Sequence, residues 1–168
     1  VSSLGQYRQS VWLDFIRRSL IAGGELKRLV DDDGLGGVTS NPAIFEKAIA
    51  ESNDYDKAIQ ALAQKGKSIE EINQALTVED IQRAADLFRP TFDRLKGGDG
   101  FVSLEVSPKL AHDTDGSIKE ARQLWAAVNR PNLFIKTPAT HEGLPAIQQL
   151  IGEGINVNIT LLFGLPRY

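Results

Sequence analysis

Short apolar segments alternate with longer amphipathic segments along this chain. Each short segment is rich in β-branched and aromatic residues and is bordered by Gly, Pro or Asn, which is typical of strands. The longer segments repeat their apolar residues at helical spacing, which predicts helices between the strands. The predicted strands cover residues 11–16, 37–40, 101–107, 132–137 and 155–163. The predicted helices cover residues 17–30, 117–129 and 142–152, and more lie between residues 43 and 97.

The long interval between the second and third strands carries two helix-start signals. Ser68 is followed three residues later by Glu71, which predicts a capping box. Thr77 is followed by Asp80 at the same distance, so we expect another helix to begin there. Together with a helix over residues 43–65, this interval is predicted to hold three helices.

Alternation of strands and helices predicts a parallel sheet and an α/β fold. Apart from the long interval, the strands recur at a rate that fits a (β/α)₈ TIM barrel, which needs about 31 residues per unit. On this count the chain holds about the first five βα units of an incomplete barrel. A doubly wound open sheet is the alternative, although no G-x-G-x-x-G sequence follows the first strand and no Walker sequence is present.

Most of the predicted strands have one apolar and one polar face. Strands of a parallel sheet are usually covered on both sides and apolar throughout, so this pattern admits two interpretations. One is a half-exposed antiparallel sheet, which conflicts with the helical connections. The other, which we favour, is a barrel whose outer face meets helices and whose interior carries a polar site at its C-terminal mouth. The inward polar set is then Asp14, Thr39, Asn41, Glu105, Lys136, Asn158 and Thr160.

Lys136 is the cation of this inward set. An enclosed lysine amine can attack a carbonyl and form a Schiff base, whose iminium accepts the electrons of an adjacent C–C bond as that bond breaks. The competing interpretation is a structural ion pair with Glu105. Asp14 is a candidate for proton transfer to a substrate hydroxyl, or a carboxylate satisfied by backbone N–H groups or by Lys136.

The remaining members of the set have weaker signals. Glu105 can act on a water that adds to or leaves the iminium carbon, and Thr160 can hold that water. Taken alone, a strand Thr or Asn is usually a packing or hydrogen-bonding residue. Asn41, which precedes Pro42, also fits a simple turn or helix start.

Composition narrows the classes of function. The 168 residues fit one domain spanning residues 1–168. The net charge of −3 does not indicate the basic surface that binds nucleic acid or an anionic membrane. Apolar runs are too short to span a bilayer and no signal peptide is visible, so we expect a cytoplasmic protein. The absence of Cys excludes thiolate chemistry and cysteine metal sites, and two His exclude a His-rich metal site.

Five strings of this sequence carry a family resemblance. They are GVTSNPAIF, FVSLEVSP, NLFIKTPAT, GLPAI and GINVNITLLF, in that order between about residue 11 and residue 168. IKTPAT followed by GINVNITLLF is specific, whereas GLPAI alone is weak. The chain resembles the transaldolase family of Schiff-base-forming class I aldolases. We expect it to be the N-terminal part of such an enzyme, truncated at the C-terminal end, because the family's phosphate-binding arginine and serine residues lie mostly beyond residue 168.

The resemblance implies a fold, a reaction and residue roles. Transaldolases are (β/α)₈ barrels that need no metal or organic cofactor and move a dihydroxyacetone unit between sugar phosphates in the pentose phosphate pathway. The partners implied are therefore sugar-phosphate substrates and the C-terminal part of the same enzyme. By motif, Lys136 resembles the Schiff-base lysine, Asp14 the general acid/base, and Glu105 with Thr160 the pair that handles the catalytic water. The substrate-orienting positions are matched by Asn41, Asn158 and, with a less defined role, Thr39.

Two alternatives to a transaldolase stay open from the sequence. One is a lyase resembling fructose-6-phosphate aldolase, which cleaves the ketose without transferring the unit to an acceptor. The other is a non-catalytic α/β fragment, and we expect this segment alone to be inactive.

Overall fold

Five parallel strands form the sheet of this protein. The computed structural model describes residues 4, 7 and 9–168. The strands are β1 (Trp12–Asp14), β2 (Gly37–Thr39), β3 (Phe101–Glu105), β4 (Leu133–Pro138) and β5 (Val157–Thr160). Each pairs in parallel with the next strand along the chain, in the order β1-β2-β3-β4-β5. A doubly wound sheet reverses its strand order at a switch point, so this order corresponds to the first five units of a (β/α)₈ barrel. The predicted α/β class is confirmed.

Seven α-helices accompany the strands in the described part of the chain. The insertion between β2 and β3 contains three of them, and α5 is the longest helix. Short 3₁₀ helices cover Pro108–Leu110 and Leu165–Arg167. The α-helices are α1 (Arg18–Ala22), α2 (Glu25–Asp31), α3 (Pro42–Ala50), α4 (Asp56–Gln64), α5 (Ile69–Arg94), α6 (Thr114–Val128) and α7 (Gly143–Gly152).

Two predicted helices are each divided in the structure. The helix expected over residues 17–30 is interrupted at Gly23 and Gly24, where Gly24 adopts φ of +82°, a conformation that side chains other than glycine disfavour. The helix expected over residues 43–65 is interrupted between α3 and α4. Near this break the Ser52 hydroxyl donates to the Ala48 carbonyl at 2.7 Å, which satisfies a carbonyl at the end of α3.

Two other predicted helices are a single helix, α5. Its capping box is confirmed, because the Ser68 side chain accepts from the Glu71 N–H and the Glu71 carboxylate accepts from the Ser68 N–H. The helix start expected at Thr77 is wrong: Thr77 and Asp80 are buried within α5. The Asp80 carboxylate accepts hydrogen bonds from Tyr55 and Arg18 rather than capping a helix.

The helix-facing side of the sheet forms the hydrophobic core. On β3 and β4 this side carries Val102, Leu104, Leu133 and Ile135, all buried against the surrounding helices. Burial of each such side chain contributes on the order of 1.5–3 kcal/mol. The opposite side of the strands carries the polar candidate residues together with several aromatic side chains. None of the helices in the described residues is both long enough and apolar enough to cross a membrane.

Candidate active site

Three of the expected site residues are neighbours across adjacent strands. Glu105 on β3 pairs with Lys136 on β4, and Lys136 pairs with Asn158 on β5. Directly paired residues of a parallel sheet point to the same side, and this side is opposite to the core residue Ile135. A carboxylate, an amine and an amide therefore lie side by side on the interior face, near the C-terminal ends of their strands.

Lys136 and Glu105 form a close, largely enclosed pair. The Lys136 Nζ lies 3.4 Å from the Glu105 Oε2, and the two side chains are 14% and 17% exposed. Burial raises the pKa of the Glu105 carboxyl above its ordinary value; the charge of Lys136 opposes that rise, and the Asp14 carboxylate adds to it. The ion pair proposed as the structural interpretation of Lys136 is thus present. The same geometry also places a carboxyl within reach of an amine with which it can exchange a proton.

Asp14 and Thr39 lie one step nearer the N-terminal ends of the strands. They pair with each other across β1 and β2. Asp14 is the last residue of β1 and is exposed on the edge strand of the described sheet. Within residues 4, 7 and 9–168, no side-chain hydrogen bond or ion pair engages its carboxylate. The alternative in which Lys136 or backbone N–H groups satisfy Asp14 thus has no support among these residues.

The chain leaves the strand directly after Asp14, earlier than the sequence pattern indicates. Ile16 is fully buried in the helix-side core and Phe15 is 41% exposed, the reverse of the alternation expected for a strand over residues 11–16. Asp14 is therefore carried at the point where β1 ends and the connection to α1 begins.

Asn41 and Thr160 lie at or beyond the C-terminal ends of their strands, Asn41 in the loop after β2 and Thr160 as the last residue of β5. The Asn41 Oδ1 accepts from the Ile44 N–H at 2.9 Å, so Asn41 is the N-cap of α3, as the helix-start interpretation predicts. That bond leaves the Asn41 Nδ2 group as the donor of this side chain. Thr160 is half-buried at the end of β5, where it pairs with Pro138.

Ser103 is a polar interior residue that the candidate set omits. Its hydroxyl donates to the Thr39 Oγ1 at 2.8 Å, and it is fully buried. The Ser40 hydroxyl donates to the Ser103 carbonyl at 2.8 Å, which ties β2 to β3 beyond their backbone ladder. The available signal was the strand alternation itself, since Ser103 shares its face with Glu105.

Aromatic rings occupy the interior face on the N-terminal side of Glu105 and Lys136. Phe134 lies two residues before Lys136 on the same face, and its ring centroid is 4.3 Å from that of Phe101 and 6.2 Å from that of Trp12. Gly37 makes room for this cluster, because a Cβ on Gly37 would lie 2.5 Å from the Trp12 ring. The interior face is thus apolar at its N-terminal side and polar at its C-terminal side.

Residues 11–168 match the family described as Transaldolase/Fructose-6-phosphate aldolase. The chain belongs to the transaldolase/fructose-6-phosphate aldolase family. It is 49% identical over 163 residues to "Transaldolase 2" of Nostoc punctiforme and 52% identical over 159 residues to "Transaldolase" of Thermobifida fusca. It is 48% identical over 168 residues to "Transaldolase" of Trichodesmium erythraeum. These alignments cover 97%, 95% and 100% of the chain, and 43% of each relative.

The chain therefore spans less than half the length of these curated transaldolases. The family assignment confirms the resemblance drawn from the sequence motifs. The five consecutive parallel strands fit the N-terminal portion of a longer barrel of this family.

The Glu105 carboxyl of this transaldolase-family protein provides a test of the site's electrostatics. In the full-length protein we expect its titration midpoint, followed by carboxyl-carbon NMR, to lie above the ordinary value for glutamic acid. Lys136→Met should raise the Glu105 pKa further, because it removes the opposing positive charge. Asp14→Asn should lower it, because it removes a like charge.

The two variants serve as controls for each other, since they are expected to shift the same midpoint in opposite directions. A raised pKa means that the folded state binds this proton more tightly than the unfolded chain. The Glu105 contribution to stability is thus fully present below the unfolded pKa and is lost as the pH rises through the folded value. Shifts of the same sign in both variants would contradict this description of the pair.

Proposed function

We propose that this chain carries the Schiff-base lysine and the proton-transfer residues of a transaldolase active site. The observation on which the proposal rests is the enclosed Lys136–Glu105 pair, with Nζ and Oε2 3.4 Å apart and Asn158 beside it on the interior face. The names of the relatives and the family match support the same reaction. The proposed reaction transfers a dihydroxyacetone unit from a ketose phosphate to an aldose phosphate.

Lys136 and Glu105 carry out the formation of the Schiff base. Glu105 first takes one proton from the paired Lys136 ammonium, and the free amine attacks the C2 ketone of fructose 6-phosphate. A second nitrogen proton then moves to the C2 oxygen and gives the carbinolamine. Glu105 returns its proton to the C2 hydroxyl, which departs as water and leaves the iminium. A carboxyl whose pKa is raised by burial holds a proton readily enough to serve as the acid of this step. Thr160 holds the water that leaves the C2 carbon in this step and that later adds to the iminium.

Asp14 carries out the cleavage. Its carboxylate takes the proton of the C4 hydroxyl while the C3–C4 bond breaks, and the bonding electrons move through the iminium to form an enamine on Lys136. Glyceraldehyde 3-phosphate leaves as the aldehyde product. The exposure of Asp14, without a competing partner among the described residues, leaves its carboxylate available to a substrate hydroxyl.

The enamine then adds to the aldehyde of erythrose 4-phosphate, and Asp14 returns the proton to the new hydroxyl. Hydrolysis of the resulting iminium releases sedoheptulose 7-phosphate and frees Lys136. Asn158 and the Nδ2 group of Asn41 orient the substrate hydroxyls. Thr39 stabilises the neighbouring strands by accepting a hydrogen bond from Ser103.

The remaining barrel strands of the full-length enzyme are the proposed partner of the β5 edge. Outward residues of β4, such as Leu133 and Ile135, are fully buried, whereas Ile159 on β5 is 41% exposed. Phe163, beyond β5, is 89% exposed. Uncovered apolar side chains next to an unpaired strand edge fit a surface that further barrel units cover. Residues 1–168 would then be part of one barrel domain.

Product analysis on the full-length protein tests the proposed reaction. With fructose 6-phosphate and erythrose 4-phosphate together, we expect sedoheptulose 7-phosphate; with fructose 6-phosphate alone, borohydride should trap a dihydroxyacetone adduct on Lys136. Release of free dihydroxyacetone without an acceptor would instead indicate the lyase of the same family. Absence of both adduct and products would favour a non-catalytic α/β module. The place in the pentose phosphate pathway stays a prediction of the family resemblance, and the cytoplasmic location stays a prediction from the sequence.

A further inference from the structure

A second charged cluster lies outside the interior face, between α1, α4 and α5. Asp80 on α5 is fully buried and accepts hydrogen bonds from the Arg18 Nε at 2.9 Å and from the Tyr55 hydroxyl at 2.8 Å. Tyr55 is also fully buried, and the Arg18 guanidinium lies 4.8 Å from its ring centroid. Burial of a charged carboxylate is costly, so a cluster of this kind is retained where its pairing serves a purpose.

The cluster supplies the N-terminal caps of α1. The N-cap residue of this helix, Arg17, forms no side-chain cap. Instead, the Tyr55 hydroxyl accepts from the Arg18 N–H at 3.1 Å, and the Asp54 Oδ2 accepts from the Ser19 N–H at 3.2 Å. Two otherwise unpaired donors of the first helical turn are thus satisfied by the connection between α3 and α4.

Asp80 sets the direction of the Tyr55 hydroxyl. The hydroxyl donates to the Asp80 carboxylate, so its lone pairs are free to accept from Arg18. Burial and the charge of Asp80 raise the pKa of Tyr55, which keeps this proton on the oxygen. The Arg17 Nε also donates to the Asp54 Oδ2 at 2.9 Å, so the same connection binds both the side chain and the backbone at the start of α1.

Residues 15–17 are the whole connection between Asp14 and α1. Ile16 anchors its middle in the core, and the Tyr55–Asp80 pair anchors its far end through Arg18. Asp14 is the last residue of β1 and pairs with Thr39 of β2. Because the chain leaves the sheet directly after Asp14, the position of its carboxylate also depends on the anchor that follows it in the chain.

We propose that Tyr55, oriented by Asp80, is a positioning residue that holds Asp14 at the distance from the substrate hydroxyl that C–C cleavage requires. This inference rests on the proposed function, because it assigns the cluster to the cleavage step and not to Schiff-base formation. The connection between α3 and α4 then influences the cleavage step, although its residue Tyr55 does not lie on the interior face.

A double-mutant cycle in the full-length protein tests the inference. Tyr55→Phe removes the hydroxyl alone, and it is combined with Asp14→Asn. With enzyme in excess over fructose 6-phosphate, the rate of glyceraldehyde 3-phosphate release is measured beside the rate of borohydride trapping on Lys136. We expect Tyr55→Phe to slow release about tenfold, as small misplacements of a catalytic group do, and to leave trapping and KM within about twofold. In the Asp14→Asn background the same change should alter release less than about twofold.

A merely structural role makes a different prediction. Loss of stability alone would slow release by the same factor in both backgrounds, and that result would overturn the inference. A parallel fall in trapping and release, or no change in release, would overturn it as well. Asp54→Ala, which removes the cap on Ser19 at a more exposed site, gives a second variant if Tyr55→Phe does not fold. We expect it to slow release about threefold, and only where Asp14 is intact.

Ser68→Ala is the matched control. It removes a cap from α5 and is expected to lower the thermal midpoint without changing release, because it lies in a capping box away from the start of α1. A slower release in this control equal to that of Tyr55→Phe would also overturn the inference.

If the wild-type protein forms no adduct with fructose 6-phosphate, the proposed function fails and the positioning role fails with it. If the adduct forms but the effects of Tyr55→Phe and Asp14→Asn on release are additive, the positioning role is overturned and the proposed function stands.

Discussion

Replacement of Lys136 by arginine is expected to abolish turnover and the borohydride-trapped adduct in the full-length protein. Arginine keeps a positive charge beside Glu105, but its guanidinium stays protonated and does not attack a ketone. We expect kcat to fall by about 10⁴–10⁶-fold, the scale of loss when a covalent nucleophile is removed. The measurement is sedoheptulose 7-phosphate formation, with mass spectrometry of the peptide that contains residue 136 after reduction.

This substitution separates the two interpretations of Lys136. If the residue serves only as the partner of Glu105, arginine should replace it with little loss of activity, since the ion pair is restored. Retained activity in Lys136→Arg would thus contradict Schiff-base catalysis. Lys119→Arg, on the exposed surface of α6, is the matched control and should leave both the adduct and the turnover unchanged.

Asp14→Asn is expected to stop the reaction after the Schiff base has formed. The amide keeps the size of the side chain but does not accept the C4 hydroxyl proton, so cleavage should slow by about 10²–10⁴-fold. Trapping of fructose 6-phosphate on Lys136 should persist, and the trapped species should retain all six carbons of the sugar. Mass spectrometry of the reduced protein distinguishes this adduct from the three-carbon adduct that follows cleavage.

An Asp14→Asn variant that forms no adduct would place Asp14 in Schiff-base formation and contradict the division of labour proposed for Asp14 and Glu105. Asp32→Asn is the matched control. This exposed carboxylate directly follows α2, in the connection that leads to the N-terminal end of β2, and is not one of the proposed site residues. It should leave both cleavage and trapping unchanged.

The interior face was predictable from the sequence because it follows from the geometry of single strands. Side chains alternate along an extended chain, so Glu105 and Lys136 each had to face away from the apolar residues beside them. Sequential parallel pairing then placed them next to each other. The same alternation places Ser103 on the interior face. It is absent from the candidate set because a serine hydroxyl, unlike a charged group, is common in strands without any functional role.

Helix continuity and the surroundings of Asp14 were not predictable in this way. The Ser68–Glu71 capping box is local and formed as expected, whereas Thr77 and Asp80 show the same spacing within an uninterrupted helix. What distinguishes Asp80 is a tyrosine 25 residues away and an arginine 62 residues away, and no local pattern contains them. The departure of Ile16 from the strand likewise depends on the core into which it packs.

By itself, the sequence determined the α/β class, the polar and apolar faces of the strands, and the identity of the lysine and carboxylates that carry the proposed chemistry. These features depend on residues a few positions apart, where covalent geometry dictates which side chains share a face. Only the tertiary structure decided where Lys136 and Glu105 meet, where the helices break, and that a buried Arg18–Asp80–Tyr55 cluster caps the helix after Asp14. Those outcomes depend on contacts between distant segments, whose energies compete with local preference and become visible only once the chain is folded.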